Sequence, residues 1–356
     1  MSAVREPEHL AVRCAVVVVA HNGVGVIGPC LRSLLAAGTE PDDIVVVDNA
    51  SHDGTVDLVH QIDEAITVVE SRVNVGYGHG ANLGIAATAH PFVAVLNQDV
   101  TVTSNWLRSL VAALEDDPCA GLATPKILLS NDPTRLNACG NLPHYTGITS
   151  CRAFGRSADA CTSSQIVGAV SGAAFVVRRE VFHEIGGFDP LFFMYLEEND
   201  LSLRAALAGH TTLFVAGSVV MHDFVPRFSA EKIHWLERNR FLLLAKLFSW
   251  RTLLVLAPAI AATELLVLAY SATQGPSVVL AKLSAYAWAA RQMPSIAAAR
   301  RGTQRLRRVS DRQMLATLSD ELDLSELGHP AAHSVETVAN VFFRGWASVA
   351  RRLVTW

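Results

Sequence analysis

Short Val-rich apolar runs alternate with segments of helical spacing over the first hundred residues. The first run, residues 14–20, is apolar throughout, as expected of a strand buried on both faces. Further strands are predicted at residues 44–47, 66–70 and 92–96, with helices at 26–35 and 55–62 between them. Alternating strands and helices predict a doubly wound, mostly parallel α/β sheet, and ligands bind such sheets beyond the carboxyl ends of the strands.

The composition is more apolar than that of an average soluble domain. The 356 residues are 51% hydrophobic and 17% charged, and the mean hydropathy is +0.30. A long buried sheet accounts for part of this excess, and contact with a membrane would account for the rest. The length suffices for one large domain with an appendage, or for two domains. The net charge of −4 provides no basic field, so nucleic acid is not expected as a partner.

The cysteines and the N-terminus bear on the cellular compartment. Six cysteines are scattered without a C-x-x-C pair, so no zinc site is expected. Cys139, Cys151 and Cys161 fall in a loop-rich stretch and would pair only in an oxidising compartment. Residues 1–10 are polar and lack the apolar core of a signal peptide, which predicts a cytoplasmic protein.

Polar clusters follow the predicted strands. Asn97-Gln98-Asp99 ends an apolar run, the acids of Glu197-Glu198-Asn199-Asp200 begin a predicted helix, and His222 follows a predicted strand at residues 212–220. One carboxylate at a strand end can hold a metal ion on a diphosphate, and a second can act as a general base. This combination predicts group transfer from a nucleotide diphosphate donor.

A second pattern suggests different chemistry. Residues 23–28 fit G-x-G-x-x-G after a strand, and Asp48 lies twenty residues beyond Gly28. These are elements of a dinucleotide fingerprint, so an NAD-dependent oxidoreductase is an alternative. Three residues separate the strand from Gly23, where the fingerprint requires a tighter turn, and this alternative gives the acidic clusters no role.

Five motifs, in order, resemble those of family 2 glycosyltransferases, in a rhamnosyltransferase-like branch. The motifs are residues 17–22, residues 44–55, the Gly-rich loop at 74–84, residues 96–99, and the pair formed by 187–189 with 193–204. The resemblance spans about residues 12 to 245. It implies a GT-A fold, which is Rossmann-like with a mostly parallel sheet and flanking helices. It also implies an inverting transfer from a nucleotide-diphospho-sugar, such as dTDP-rhamnose or a UDP-sugar, to a glycan or polyprenyl-linked acceptor.

The resemblance also implies a role for each motif residue. Asp99 and His222 would bind Mg²⁺ or Mn²⁺. Glu198 would be the base, accompanied by the acids Glu197 and Asp200, and Asp200 is spaced to pair with Arg204. The nucleotide-sugar would contact residues from four of the motifs: His21, Asn22, Asp48, Asn74, Gly76, Tyr77, Asn82 and Asn97. In this interpretation the glycines of 74–84 let the backbone approach the base or ribose closely.

Two of these residues depart from the usual pattern of the family. Asn97 stands where many members have an acid, which lowers the expected affinity for metal. Glu198 stands where the base is normally Asp and reaches one methylene further, which changes the geometry towards the acceptor. A non-catalytic sugar-nucleotide-binding scaffold is therefore a further alternative.

The C-terminal region differs in character, and we divide the chain into a catalytic region, 1–245, and a helical region, 246–356. Residues 252–270 are almost wholly apolar but contain Pro258 and Glu264, and a stretch rich in arginine follows. The pattern favours a helix lying in the plane of a membrane, at the cytoplasmic face of the plasma membrane. The alternative is a hairpin buried against the catalytic region or against a second subunit of a homo-oligomer. Residues 238–240 are interpreted either as a phosphate contact or as a solvated helix face.

Overall fold

The structure is a computed structural model that describes residues 14–225, 229–327 and 330–356. The N-terminal residues 1–10, on which the compartment prediction rests, lie outside the described residues. Every strand discussed below except one short hairpin belongs to a single ten-stranded sheet.

Four neighbouring strands form the parallel part of the sheet, in the order β3-β2-β1-β4. They are β1 Cys14–Ala20, β2 Ile44–Asn49, β3 Thr67–Ser71 and β4 Phe92–Asn97. The register aligns Val19 with Asn97 and Ala20 with Asp48. The carboxyl ends of these strands therefore meet at one edge of the sheet, as the sequence predicts.

The other part of the sheet mixes parallel and antiparallel ladders. Its strands are β5 Val100–Val102, β6 Ala120–Leu129, β7 Asp132–Ala138, β10 Gln165–Val167, β11 Ala174–Arg178 and β12 Thr211–His222, while β8 Asn141–Pro143 and β9 Thr149–Cys151 form a separate hairpin. Strand β11 runs antiparallel to both β4 and β6, and β6 runs parallel to β12. The parallel pattern predicted from the sequence is therefore found in the four strands β3-β2-β1-β4 and again in the β6–β12 pair.

Helices cover both faces of the sheet. They are α1 Ile27–Ala36, α2 Thr55–Ile62, α3 Tyr77–Ala86, α4 Trp106–Asp116, α5 Arg179–Glu184 and α6 Glu197–Leu207. Alternate residues of β1 point to opposite faces: Val16 and Val18 join one hydrophobic core, and Val17 and Val19 join the other. A strand buried on both sides explains why its sequence is continuously apolar.

The C-terminal region is helical. It contains α7 Ala230–Leu247, α8 Trp250–Gln274, α9 Pro276–Arg291, α10 Met293–Arg305, α11 Asp311–Thr317 and α12 Pro330–Leu353. These helices share a hydrophobic core with Tyr145, Phe192 and Leu203 of the preceding region, reaching Phe343 and Val354 at the far end. The core therefore crosses the boundary that the sequence analysis drew at residue 245.

Candidate active site

A cavity of about 1190 Å³ opens at the carboxyl edge of the parallel strands. Its lining includes eight of the residues predicted from the sequence: His21, Asn74, Tyr77, Asn97, Asp99, Glu197, Glu198 and His222. Five predicted residues are not among those that line it: Asn22, Asp48, Gly76, Asn82 and Asp200. Motifs separated by up to two hundred residues in the chain are thus brought to one site.

Asp48 and Asn22 are chain neighbours of Asn49 and His21, which line the cavity. Asp48 is buried, and its Oδ2 accepts a hydrogen bond from the Ser51 backbone N–H at 3.2 Å, while its Oδ1 has no hydrogen-bond partner. Asn22 Oδ1 accepts from the His52 backbone N–H at 3.0 Å. Asn22 therefore holds the turn after β2, and one carboxylate oxygen of Asp48 is buried without a partner among the described residues.

The Gly-rich stretch 74–84 is a short turn followed by a helix, so the predicted loop is wrong from Tyr77 onward. Gly76 has φ +85°, and a Cβ there would lie 2.1 Å from the Phe193 carbonyl oxygen. Gly80 and Gly84 of α3 face the sheet: a Cβ on them would lie 3.0 Å from Val19 Cγ1 and 2.4 Å from Val17 Cγ1. Their absent side chains let α3 lie against the strands, rather than letting a nucleotide approach the backbone as the sequence analysis expected.

Asn82 and Tyr77 extend from α3 in different directions. The Asn82 amide donates to the Phe188 carbonyl and accepts from the Phe188 N–H, both at 2.9 Å, so it fixes a turn of the chain. The Tyr77 hydroxyl donates to the Gly172 carbonyl at 2.8 Å. Burial, together with the nearby Glu197 and Glu198 carboxylates, raises the pKa of Tyr77 well above its usual range.

Asp99 and His222 face each other where β4 and β12 end. His222 Nδ1 lies 2.8 Å from the acceptor Asn137 Oδ1, and in the tautomer that donates to Asn137 the Nε2 atom presents a lone pair. That Nε2 lies 3.3 Å from Asp99 Oδ1. A carboxylate oxygen and an imidazole nitrogen side by side are ligands that a divalent metal ion accepts, so the pair fits such an ion.

The protein supplies only part of a metal coordination shell here. Among the described residues no group of three His, Cys, Asp or Glu side chains could hold a metal ion. Mg²⁺ commonly takes one or two carboxylates and completes its shell with phosphate oxygens and water. Asp99 and His222 therefore suit a metal that arrives with a diphosphate.

The two glutamates enter the cavity from a strained turn before α6. Tyr195 and Leu196 both have left-handed backbone, with φ +68° and +66°. The Asn239 amide donates to the Met194 and Tyr195 carbonyls at 2.8 and 2.7 Å, which holds the turn in place. The turn aims the first residues of α6 at the cavity.

Glu198 is the better placed base of the pair. Its Oε1 accepts hydrogen bonds from the Asn141 amide at 3.0 Å and the Asn199 amide at 2.8 Å. Burial raises the pKa of Glu198 to about 7, and these hydrogen bonds act against the increase. Burial and the charge of Glu198 raise the pKa of Glu197 well above its usual range.

Asp200 is turned away from the cavity. Its two oxygens lie 2.7 Å from Arg204 Nε, the i, i+4 partner predicted from the sequence, and 2.7 Å from Lys246 Nζ. Burial opposes ionisation of Asp200, but the two cations outweigh it and lower its pKa. Asp200 therefore anchors α6 to α7 and does not reach a substrate.

Residues 238–240 are buried, so the prediction of a solvated face is wrong. The Arg238 guanidinium lies between the rings of Trp235 and Trp288, 4.2 Å from each ring centre. Arg240 lines the cavity, but it is paired with Glu237 at 2.9 Å and with Glu264. Of the three residues, Arg240 alone lines the cavity and could contact a phosphate there, and the two acids already balance its charge.

Sequence reasoning missed Asn137 and Asn141, which orient His222 and Glu198. Both lie in a stretch that shows only mixed strand and loop signals, and a single Asn carries no pattern. Buried amide atoms of both residues have no partner within the protein, namely Asn137 Nδ2 and Asn141 Oδ1. Unsatisfied buried polar atoms facing a cavity are suited to the hydroxyl groups of a sugar.

A model of the family described as glycosyl transferase family 2 matches residues 15–186. The chain carries a family 2 glycosyltransferase domain. The matched range contains Asp99 but ends before Glu197, Glu198 and His222. The cavity nevertheless brings these later residues together with the matched ones.

Two proteins of Mycobacterium tuberculosis are similar to this glycosyltransferase in sequence. An N-acetylglucosaminyl-diphospho-decaprenol L-rhamnosyltransferase is 27% identical over 215 residues, which cover 54% of this chain and 70% of that protein. A pre-mycofactocin glycosyltransferase is 28% identical over 160 residues, 45% of this chain and 32% of that protein.

Two solved structures establish the fold. The mannosyltransferase PcManGT from Pyrobaculum calidifontis, in complex with GDP-Man and Mn²⁺, gives a TM-score of 0.51 at 16% identity, covering 97% of this chain and 88% of that one. GalNAc-T7 with UDP, GalNAc and Mn²⁺ gives a TM-score of 0.51 at 18% identity, and the match spans 65% of this chain and less than half, 47%, of that one. The predicted GT-A fold with a C-terminal helical extension is confirmed.

Proposed function

We propose that this glycosyltransferase carries out inverting transfer of a sugar from a nucleotide-diphospho-sugar to a saccharide or lipid-linked saccharide during cell-surface glycan assembly. The observation that carries the proposal is one cavity that holds both the Asp99–His222 pair and the Glu198 carboxylate. The sequence similarity to a rhamnosyltransferase supports dTDP-rhamnose as the donor, and UDP-sugars are the alternative. The enzyme would work in the cytoplasm at the inner face of the plasma membrane.

Each group has a defined task in this mechanism. Asp99 and His222 would hold Mg²⁺ or Mn²⁺, which when bound neutralises the charge of the departing diphosphate. Asp48 and Asn74 would contact the nucleoside, together with His21 and Tyr77. Glu198 would accept the proton of the acceptor hydroxyl as its oxygen attacks the anomeric carbon from the face opposite the diphosphate.

The contacts of residues 23–28, which fit the dinucleotide fingerprint, argue against the oxidoreductase alternative. A dinucleotide loop needs free backbone N–H groups for the pyrophosphate. Here the Gly23 N–H donates to Thr55 Oγ1 at 2.9 Å and the Val24 N–H donates to Asp53 Oδ2 at 3.0 Å. The N–H groups of Val26 and Ile27 both donate to the Gly23 carbonyl.

Thermal unfolding with UDP, dTDP or NAD, each with and without Mn²⁺, tests the proposal. A ligand at a hundred times its Kd stabilises the folded state by about 2.7 kcal/mol, which raises the unfolding midpoint by several degrees. We expect a metal-dependent increase with UDP or dTDP, which Asp99→Asn loses and the exposed-surface control Asp57→Asn retains. A metal-independent increase with NAD alone would establish the oxidoreductase instead.

Turnover separates an enzyme from a scaffold. Release of UDP or dTDP from a donor sugar is expected for the unaltered chain and is expected to be lost in Glu198→Gln. Nucleotide binding without Glu198-dependent turnover would support the non-catalytic scaffold.

A further inference from the structure

The cavity has one wall that the transfer reaction does not use. The proposed metal-binding pair and the two glutamates come from the sheet edge and from α6, whereas Leu266, Val267 and Tyr270 of α8 contribute apolar lining. Leu327 and Val335 continue this apolar wall towards α12. A nucleotide-sugar presents mainly hydroxyl and phosphate groups, so it has no use for such a surface.

The apolar wall borders a large exposed apolar surface. On α8, Leu254 is 75% exposed and Leu265 is 69% exposed; on α12, Val338 is 74% exposed. The two helices are joined near the start of α8, because Trp346 Nε1 donates to the Val255 carbonyl at 3.0 Å and Trp356 Nε1, just beyond the end of α12, donates to Thr252 Oγ1 at 3.0 Å. An exposed apolar area of this extent marks an interaction site.

One charged residue decides how α8 can meet a membrane. By length and composition α8 is, among the described residues, the one helix able to cross a bilayer. Its Glu264, however, points inward and pairs with Arg240 and with Lys282 at 2.8 Å. The helix is therefore fixed to the protein along one face and open along the other, the arrangement of a helix lying in the membrane plane.

The end of this surface carries the residues that favour a membrane–water boundary. Trp250 and Trp356 are exposed where α8 begins and the chain ends. The Arg251 guanidinium lies 6.0 Å from the Trp356 ring centre, and the Arg300 guanidinium lies 4.4 Å from that of Trp250. Tryptophan and arginine together suit the headgroup region of an anionic leaflet.

We infer that the exposed faces of α8 and α12 rest in an anionic bilayer, and that the apolar wall receives the hydrocarbon chain of a lipid-linked acceptor from it. This inference rests on the proposed function, and it selects the membrane-borne acceptor over a soluble saccharide. The acceptor hydroxyl then reaches Glu198 while the hydrocarbon chain of the acceptor stays in apolar surroundings and is not exposed to water.

Vesicle flotation tests the membrane face. The full chain should float with vesicles of phosphatidylcholine and phosphatidylglycerol, and Leu265→Glu/Leu268→Glu should reduce the bound fraction by about tenfold or more, since each substitution removes a leucine that the bilayer would bury. Ile166→Glu, an exposed apolar site on the edge strand β10, is the matched control and should float normally. Equal flotation of the double variant would overturn the inference. So would an unaltered chain that binds no vesicles but forms a dimer, if the double substitution dissociates that dimer.

A chain-binding assay tests the apolar wall. A dansyl-labelled undecyl phosphate should bind the unaltered chain and lose at least tenfold in affinity in Ala269→Trp, which places a large ring at the cavity lining. Ala261→Trp, on an exposed position of the same helix outside the lining, should bind the probe normally. Equal binding by both variants would overturn the inference.

The nucleotide-dependent unfolding midpoint keeps the two proposals apart. Both the double glutamate variant and Ala269→Trp should retain the metal-dependent stabilisation by UDP or dTDP. Loss of chain binding with nucleotide binding intact supports the inference, whereas an unaltered chain that binds vesicles and probe but no nucleotide would contradict the proposed function alone.

Discussion

Glu198 is subject to two opposing influences, and their balance sets the pH at which it can act. Burial raises its pKa to about 7, while hydrogen bonds from Asn141 and Asn199 favour the charged form. A base must be deprotonated, so kcat/KM should rise with pH through about 7 and level off above it. The measurement is the rate of nucleotide release between mildly acidic and mildly alkaline pH.

Asn141 makes this prediction more specific. Asn141→Ala removes one donor to the carboxylate, so the pKa of Glu198 and the midpoint of the acid limb should move to higher pH. Glu198→Gln should instead lower the rate by about a hundredfold to ten-thousandfold at every pH. An acid limb that stays in place in Asn141→Ala would show that another group controls it.

At the residue scale the sequence predicted the groups with a motif and missed those defined only by contact. Asp99 and Glu198 were predicted because each belongs to a motif, and His222 because it matches the position of a metal-binding histidine in the family that the sequence resembles. Asn141 lies 57 residues from Glu198 in the chain, and Asn137 lies 85 residues from His222. No local sequence pattern indicates contacts between residues so far apart in the chain, since the fold alone brings these amides to their partners.

Helix α3 shows how packing overrides helix propensity. Each glycine disfavours a helix by about 1 kcal/mol relative to alanine, which is why the sequence suggested a loop. The structure compensates because Gly80 and Gly84 let the helix approach β1 closely, where a Cβ would lie 3.0 Å or less from a valine side chain.

Gly84→Ala should therefore destabilise the protein. The added Cβ would meet Val17 and Val47 at 2.4 and 2.7 Å, and overpacking of this kind costs about 1–3 kcal/mol. Gly302→Ala, in α10 with no atom within 4 Å of the new Cβ, should leave stability unchanged or raise it slightly. Urea unfolding of the two variants provides the comparison, and equal stability would contradict the packing role.

Helices α7, α8 and α9 are joined by a buried cluster of charges. Lys282 of α9 is fully buried and pairs with Glu237 of α7 and Glu264 of α8. Lys282→Met would leave the two acids to share Arg240 as their cation, and breaking a buried pair costs about 3–5 kcal/mol. Arg344→Met removes an ion pair whose side chains are both 55% exposed and should cost less than about 1 kcal/mol. Similar urea midpoints for the two variants would mean that the cluster is dispensable.

At the scale of the whole molecule, the catalytic and helical regions share one core. The Tyr145 hydroxyl donates to the Phe343 carbonyl at 2.9 Å, and the rings of His144 and Phe343 meet edge to face at 5.0 Å. A chain ending after Leu247 would expose this surface. We expect it to lack a cooperative unfolding transition, whereas the full chain should show a single one by both calorimetry and near-ultraviolet circular dichroism. A cooperative transition in the shortened chain would show that the regions are separate domains.

The sequence predicted the parallel half of the sheet because alternating strands and helices are a local pattern. It did not predict that β11 enters the sheet antiparallel beside β4, or that β6 pairs with β12. These pairings join segments about eighty to ninety residues apart, and the apolar runs alone are equally compatible with other orders. Only the packing of the whole chain selects among them.

The left-handed turn at Tyr195 and Leu196 has a consequence for evolution and for protein engineering. Each such residue stores about 1–2 kcal/mol of backbone strain, so relaxing this turn offers an accessible route to a more heat-resistant protein. The same relaxation would re-aim both glutamates of the active site. Selection for thermal tolerance and selection for turnover should therefore pull in opposite directions at these two positions, and stabilised variants that keep full activity should carry their substitutions elsewhere.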